Sequence, residues 1–233
     1  MKKEDVDFED YDLVDENDEL EKFNEKEIKQ ISEPEPWYKG PVTIILALFL
    51  ILIVVLMVFP YYSIKMDPEP KYIPSIDEVI PSDFNVTHIN SSDYYVNVKP
   101  ADPLVKEVST KISTISCDGN KICQAKALFY FARNNLEYVA EKDDYIMSFS
   151  ETLYTRGGDC DDHAVFLANL LQASGFNTRF VFVPNHVLVQ VWLPAAKKSY
   201  KVDSDWVYLD PTCKSCKFGE LPRQYLDVEK KFY

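Results

Sequence analysis

The chain has 233 residues, with 38 Asp and Glu against 25 Lys and Arg, and a formal net charge of −13. That length admits one or two domains, and the lack of any basic stripe excludes binding to nucleic acid by phosphate neutralisation. The acidity is uneven: residues 1–40 carry 15 acidic and 6 basic side chains, a net of −9, which leaves −4 for everything after them.

The leading tail, residues 1–40, is dense in charge and poor in large apolar residues, the composition of a disordered segment. Val42 to Phe59 is then an unbroken run of apolar residues and Thr. Wound as a helix, such a run rises about 27 Å, close to the hydrocarbon thickness of a bilayer. Trp37 and Tyr38 before it, and Tyr61 and Tyr62 after it, suit the aromatic belts of a spanning helix. A single transmembrane helix is therefore expected over 41–62. Lys22, Lys26, Lys29 and Lys39 precede the span, and only Lys65 and Lys71 come closely after it. This bias puts the N-terminus in the cytoplasm and the rest outside the cell membrane.

Residues 63–100 hold Pro68, Pro70, Pro74, Pro81 and Pro100 and read as an extended stalk. Two glycosylation acceptor patterns, at Asn85 and Asn90, lie within it. A folded domain is expected over 101–233. Pro103 suits a first helical turn, and Leu104, Val105, Val108, Ile112 and Ile115 recur at helical spacing. A second helix covers about Lys121 to Leu136, and Ser150 to Gly158 reads as loop. Asp159 is a candidate N-cap for a third helix, whose stripe of Ala164, Leu167, Ala168 and Leu171 ends at Gly175. Strands are expected at Thr178–Val183, His186–Leu193, Ser199–Val202 and Trp206–Asp210. Helices succeeded by antiparallel strands define an α+β domain large enough for one proper core.

All five cysteines lie after the apolar run. Cys117 and Cys123 bracket a short loop, Cys213 and Cys216 form a tighter pair, and Cys160 stands alone. Two local disulfides and one free thiol are the simplest partition outside the cytosol. The competing reading, a zinc site at Cys213 and Cys216, lacks a second cysteine pair of matching spacing. Asp161, Asp162 and His163 are neighbours on one helix and point in different directions, so no metal and no cofactor is expected.

Cys160 falls at the start of a helix, in Gly158-Asp159-Cys160-Asp161-Asp162-His163-Ala164. Unpaired N–H groups there favour a thiolate, while three nearby aspartates oppose it. His186 opens an alternating strand 26 residues later, and Asp210 closes another strand 24 residues beyond that. A thiol, an imidazole and a carboxylate in succession are the parts of nucleophilic catalysis. These motifs, with Trp206-Val207-Tyr208-Leu209-Asp210-Pro211-Thr212, resemble the transglutaminase-like superfamily over about Leu153 to Pro222. The Cys213 and Cys216 pair after Asp-Pro-Thr is similar to that of membrane-anchored archaeal and bacterial members.

The resemblance implies a papain-related fold, with a core helix carrying Cys160 against an antiparallel sheet carrying His186 and Asp210. It implies acyl transfer, in which Cys160 attacks an amide carbonyl, His186 moves the proton, and water or an amine resolves a thioester. No flanking β-sandwich or calcium site is legible, so hydrolysis of a peptide or another amide, cell-envelope substrates included, is expected over crosslinking. The alternative is a catalytically silent module that uses the same groove to bind an envelope polymer or a partner protein.

Overall fold

The computed structural model describes residues 40–89, 91–140 and 145–233. The acidic tail and Asn90 therefore lie outside the described residues. The chain divides into two units, Met1–Phe59 and Pro60–Tyr233. In the first, Pro41–Phe59 is helical, with a mean hydropathy of 3.5 and no buried share, and so is long and apolar enough to cross a membrane. It forms most of helix α1, Pro41–Met66.

The second unit opens well before the expected domain start. The described residues of 67–100 are not an extended stalk: they contribute two short helices, α2 (Ile76–Val79) and α3 (Tyr94–Asn97), both with buried residues. Ile76 and Val79 are part of the core, and burying a side chain of this kind contributes about 1.5–3 kcal/mol. The prolines restrict local conformation without preventing packing, because the apolar residues between them find partners. Asn97 is buried as well, and its carbonyl accepts from Asn169 Nδ2.

Polar ends set the next helices. Asp102 accepts from the Leu104 N–H at 2.8 Å and Pro103 opens α4, Pro103–Ser116. Asn120 caps α5, Lys121–Asn135. The stretch expected as loop before Gly158 is instead a helix, α6 (Phe149–Thr155), opened by reciprocal bonds between Ser148 and Glu151. This capping box, Ser-x-x-Glu, supplies the partners a short helix needs at its first turn. Helix α7, Cys160–Ala173, is capped by Asp159.

The sheet is antiparallel in the order β5-β6-β4-β3-β7, comprising β3 (Thr178–Val183), β4 (His186–Trp192), β5 (Lys201–Val202), β6 (Trp206–Leu209) and β7 (Lys231–Phe232). A separate parallel pair joins β1 (Glu137–Tyr138) to β2 (Gly157–Gly158). Lys198–Tyr200 is a 3-10 turn where the sequence suggested the start of a strand. Val187, Val189 and Val191 of β4 face the main core with α7, while Leu188 joins Val181, Val183 and Tyr208 on the opposite face. That second face is covered by Leu221, Tyr225 and Val228, which explains apolar residues on both sides of β4. Both expected disulfides are present, Cys117–Cys123 and Cys213–Cys216, and Cys160 is free. The zinc alternative therefore fails, because all four thiolates are consumed.

One buried charge pins residues 67–69 to the unit. The Lys126 ammonium, 0% exposed, bonds Asp67 at 2.6 Å and Glu69 at 2.5 Å. Burial alone would lift the Asp67 carboxyl, but bonds from Lys126, Lys197 and Tyr200 hold it below its ordinary value. A carboxyl held down in the folded state stabilises at neutral pH and loses that contribution below about pH 4. Asp67→Ala should therefore cost about 3 kcal/mol by leaving a buried ammonium under-paired. The check is urea unfolding at neutral pH, where the midpoint falls, and at low pH, where the difference from wild type shrinks.

Candidate active site

Position 158 accepts only glycine because a carboxylate occupies the space beside it. A Cβ there would lie 2.4 Å from Asp162 Oδ2. Asp162 is fully buried and accepts from the Met147 N–H at 2.7 Å and the Asp159 N–H at 3.0 Å. Asp159 in turn accepts from the Asp161 and Asp162 N–H groups. Of the three aspartates around the thiol, two are thus occupied in seating the helix start. His163 is buried as well and bonds the Glu137 carbonyl, which ties α7 to β1 and gives this histidine a structural place.

Cys160 stands at the first position of α7, half-buried. Its thiol donates to Asp161 Oδ1 at 3.4 Å, and the Val187 N–H at the start of β4 donates to the sulfur. Burial first, and then the Asp161 and Asp159 charges, push the thiol up to about 12, with Val187 opposing. The helix start therefore does not yield a resting thiolate. Removal from water and two anions outweigh a few oriented N–H groups.

His186 precedes Val187 and opens β4. Its Nε2 lies 3.0 Å from Asp210 Oδ2, with the imidazole 9% and the carboxylate 2% exposed. The other carboxylate oxygen, Oδ1, accepts from the Thr212 hydroxyl at 2.7 Å and its N–H at 3.1 Å. This turn fixes the carboxylate plane, so that Oδ2 faces the ring. With Nε2–H donating to Asp210, Nδ1 is the ring nitrogen with a free lone pair. Tyr225 stacks on the imidazole at 5.1 Å and 15°. A cavity of about 330 Å³ opens beside these residues, lined by Tyr138, Asn185, His186, Asp210, Thr212 and Tyr225 among others. Another, of about 360 Å³, lies against Phe84, Asn97 and Phe149 and touches none of the three expected site residues.

The tertiary structure thus pairs His186 with Asp210 directly, and brings Cys160 to the residue next to His186. The side chain that the thiol itself bonds is Asp161. Thr212 was legible as an Asp-x-Thr turn, whereas Tyr225 and Tyr138 carried no local signal. Asp159, Cys160 and Asp161 place ligand-type atoms within 4.8 Å of one another. Since Asp159 is spent on N–H groups and Asp161 on the thiol, the cluster is read as part of the thiol's surroundings.

Residues 108–211 match the family model described as the transglutaminase-like superfamily. Those residues match a transglutaminase-like domain. The match contains Cys160, His186 and Asp210 and stops one residue after Asp210. Two solved structures are similar at low identity. A proposed cysteine protease from Cytophaga hutchinsonii shares 19% identity at a TM-score of 0.39, covering 54% of this chain and 40% of that one. The periplasmic domain of TgpA from Pseudomonas aeruginosa, bound to ethylmercury, shares 19% identity at a TM-score of 0.37, covering 52% of this chain and 49% of that one. The chain therefore spans less than half of either structure, and at those TM-scores neither bears on the site. No curated protein sequence matches the chain at comparable significance.

A thiol held well above its usual range is mostly protonated at neutral pH, so the transglutaminase-like domain should alkylate slowly at rest. Iodoacetamide labelling of Cys160 in the full-length chain should be slower than that of a free thiol, whose pKa is about 8.5, and should keep rising above about pH 9. A rate that levels off near neutrality would contradict the burial and charge argument.

Proposed function

We propose that the transglutaminase-like domain is a membrane-anchored thiol hydrolase or acyltransferase acting on amide bonds, with Cys160 as nucleophile, His186 as base and Asp210 as the group orienting the base. The observation that carries this reading is the buried His186–Asp210 bond of 3.0 Å, braced by Thr212. A carboxylate spent on holding one ring nitrogen, beside a free thiol, has little purpose as packing alone.

In this reading the resting thiol is neutral, and its proton leaves as the attack proceeds. The Cys160 sulfur bonds to the amide carbonyl carbon while its proton passes to His186 Nδ1. Asp210 steadies the imidazolium that forms. Collapse of the tetrahedral intermediate breaks the C–N bond, and His186 returns the proton to the departing amine. Water, or a second amine, then attacks the thioester with His186 as base; the C–S bond breaks, the acyl group leaves, and His186 returns the proton to the sulfur. In this reading the Cys160 N–H, at the first position of α7, donates to the oxyanion, while Asp159 takes the next two N–H groups.

The anchor is the Pro41–Phe59 stretch. The two disulfides and the lysine bias before the apolar run support an extracytoplasmic domain and an N-terminus in the cytoplasm. Peptides or other amides of the cell envelope are the substrates this placement favours. The raised thiol favours a second reading, a silent module that binds such a polymer or a partner protein without turnover.

An activated ester separates the two. Full-length chain treated with p-nitrophenyl acetate should release a burst of nitrophenolate and carry an acetyl group on Cys160, removable by hydroxylamine. Cys160→Ala should abolish the adduct, and His186→Ala should slow its formation by about 10²-fold or more. Acylation equally fast without the imidazole, or absent from wild type, would favour the binding module.

A further inference from the structure

Tyr225 lies beyond the end of the family match at residue 211. It closes a 3-10 turn, Arg223–Tyr225, in which its N–H bonds the Pro222 carbonyl at 2.9 Å. The turn is seated on the sheet from both sides. Leu221, Tyr225 and Val228 pack on the face formed by Val181, Val183, Leu188 and Tyr208, which come from β3, β4 and β6. Further on, β7 pairs Phe232 with Val181, and Tyr233 exchanges backbone bonds with Phe180 at 2.8 and 3.0 Å. Held in this way, the phenol ring lies almost parallel to the His186 imidazole, with centroids 5.1 Å apart at 15°.

The bond between His186 Nε2 and Asp210 Oδ2 at 3.0 Å fixes where one ring nitrogen points. A single hydrogen bond is directional along its own line, and it leaves the ring able to rock about that line. A flat ring against one face opposes the rocking, because tilting the imidazole gives up the stacked contact on one edge and crowds the other. Asp210 thus sets the direction of the imidazole and Tyr225 sets its plane. Together they determine where Nδ1, the nitrogen with the free lone pair, is aimed. A base must reach its proton within hydrogen-bonding distance, and small misplacements of a reacting group are costly in rate.

We propose that Tyr225 is a positioning residue for His186: its ring face holds the imidazole plane, so a segment following the family-matched region completes the reactive site. This rests on the reading of His186 as base and Cys160 as nucleophile. The feature that matters is the flat aromatic face and not the hydroxyl. Phenylalanine keeps that face, whereas leucine keeps an apolar side chain without it.

The experiment is the rate of Cys160 acetylation by p-nitrophenyl acetate in the full-length chain, for wild type, Tyr225→Phe, Tyr225→Leu, His186→Ala and the double variant Tyr225→Leu with His186→Ala. Tyr225→Leu should slow acetylation about tenfold, and Tyr225→Phe should recover the wild-type rate to within about twofold. Adding Tyr225→Leu to His186→Ala should change nothing further, because the effect runs through the imidazole. A wild-type rate for Tyr225→Leu overturns the proposal, as does a Tyr225→Phe rate as slow as that of leucine. Equal slowing by leucine with and without His186 overturns it too, and this is the outcome if leucine merely loosens the fold. A second readout does not use the thiol. In the Cys160→Ala chain labelled with 15N-histidine, the low-field imidazole N–H resonance that disappears in His186→Ala reports the bond to Asp210. It should persist with Tyr225→Phe and broaden through solvent exchange with Tyr225→Leu, and an unchanged resonance in leucine overturns the proposal. If wild type fails to acetylate, the nucleophile reading falls while this resonance still decides the role of Tyr225.

Discussion

The start of helix α7 is the constraint on which the site depends. Asp162 cannot be buried unless both carboxylate oxygens are bonded, and the Met147 and Asp159 N–H groups do this. The carboxylate fits only because Gly158 has no side chain. Gly158 is in turn held by β1, where it pairs with Tyr138. Glycine, aspartate and a short parallel bridge thus determine where the chain turns into the helix, and so where the sulfur of Cys160 sits.

Opposite that helix end, the sheet presents the other two groups. Residue 186 begins β4 and residue 210 comes directly after β6, and these strands are neighbours in the sheet. Antiparallel pairing of Val189 with Leu209 therefore brings the two side chains to one end. Thr212 then orients the carboxylate, so a rigid ladder and one turn produce the 3.0 Å contact. The thiol is regulated differently. Its surroundings oppose ionisation, so on the proposed reading the proton leaves during attack.

Segments on either side of the family match complete this arrangement. Before it, residues 67–99 pack through Asp67, Ile76, Val79, Tyr94 and Asn97. After it, Leu221, Tyr225 and Val228 cover the outer face of the sheet, and Tyr225 lies flat on the imidazole. A ring stacked on His186 excludes water from one side of the imidazole and limits its rotation. The match boundaries at 108 and 211 therefore mark where the sequence pattern is recognisable, not where the cooperative unit stops.

The helices α4, α5 and α7 and the strands β3, β4 and β6 were legible because each shows its own period, and the helices carry their own start signals at the N-caps Asp102, Asn120 and Asp159. Local signals of the same kind exist at α6, where Ser148 and Glu151 cap a helix, but its stretch is too short to show a clear period and reads as loop. The family resemblance and the order Cys160, His186, Asp210 were likewise present in the linear chain, since motif spacing survives without coordinates. Three things were decided only by the tertiary structure: that the proline-rich stretch packs, that burial raises the thiol, and that Tyr225 reaches the imidazole. Each depends on contacts between residues far apart in sequence, such as Tyr94 with Phe180 or His186 with Tyr225. Periodicity and capping are properties of neighbours along the chain, whereas desolvation and charge proximity are properties of neighbours in space.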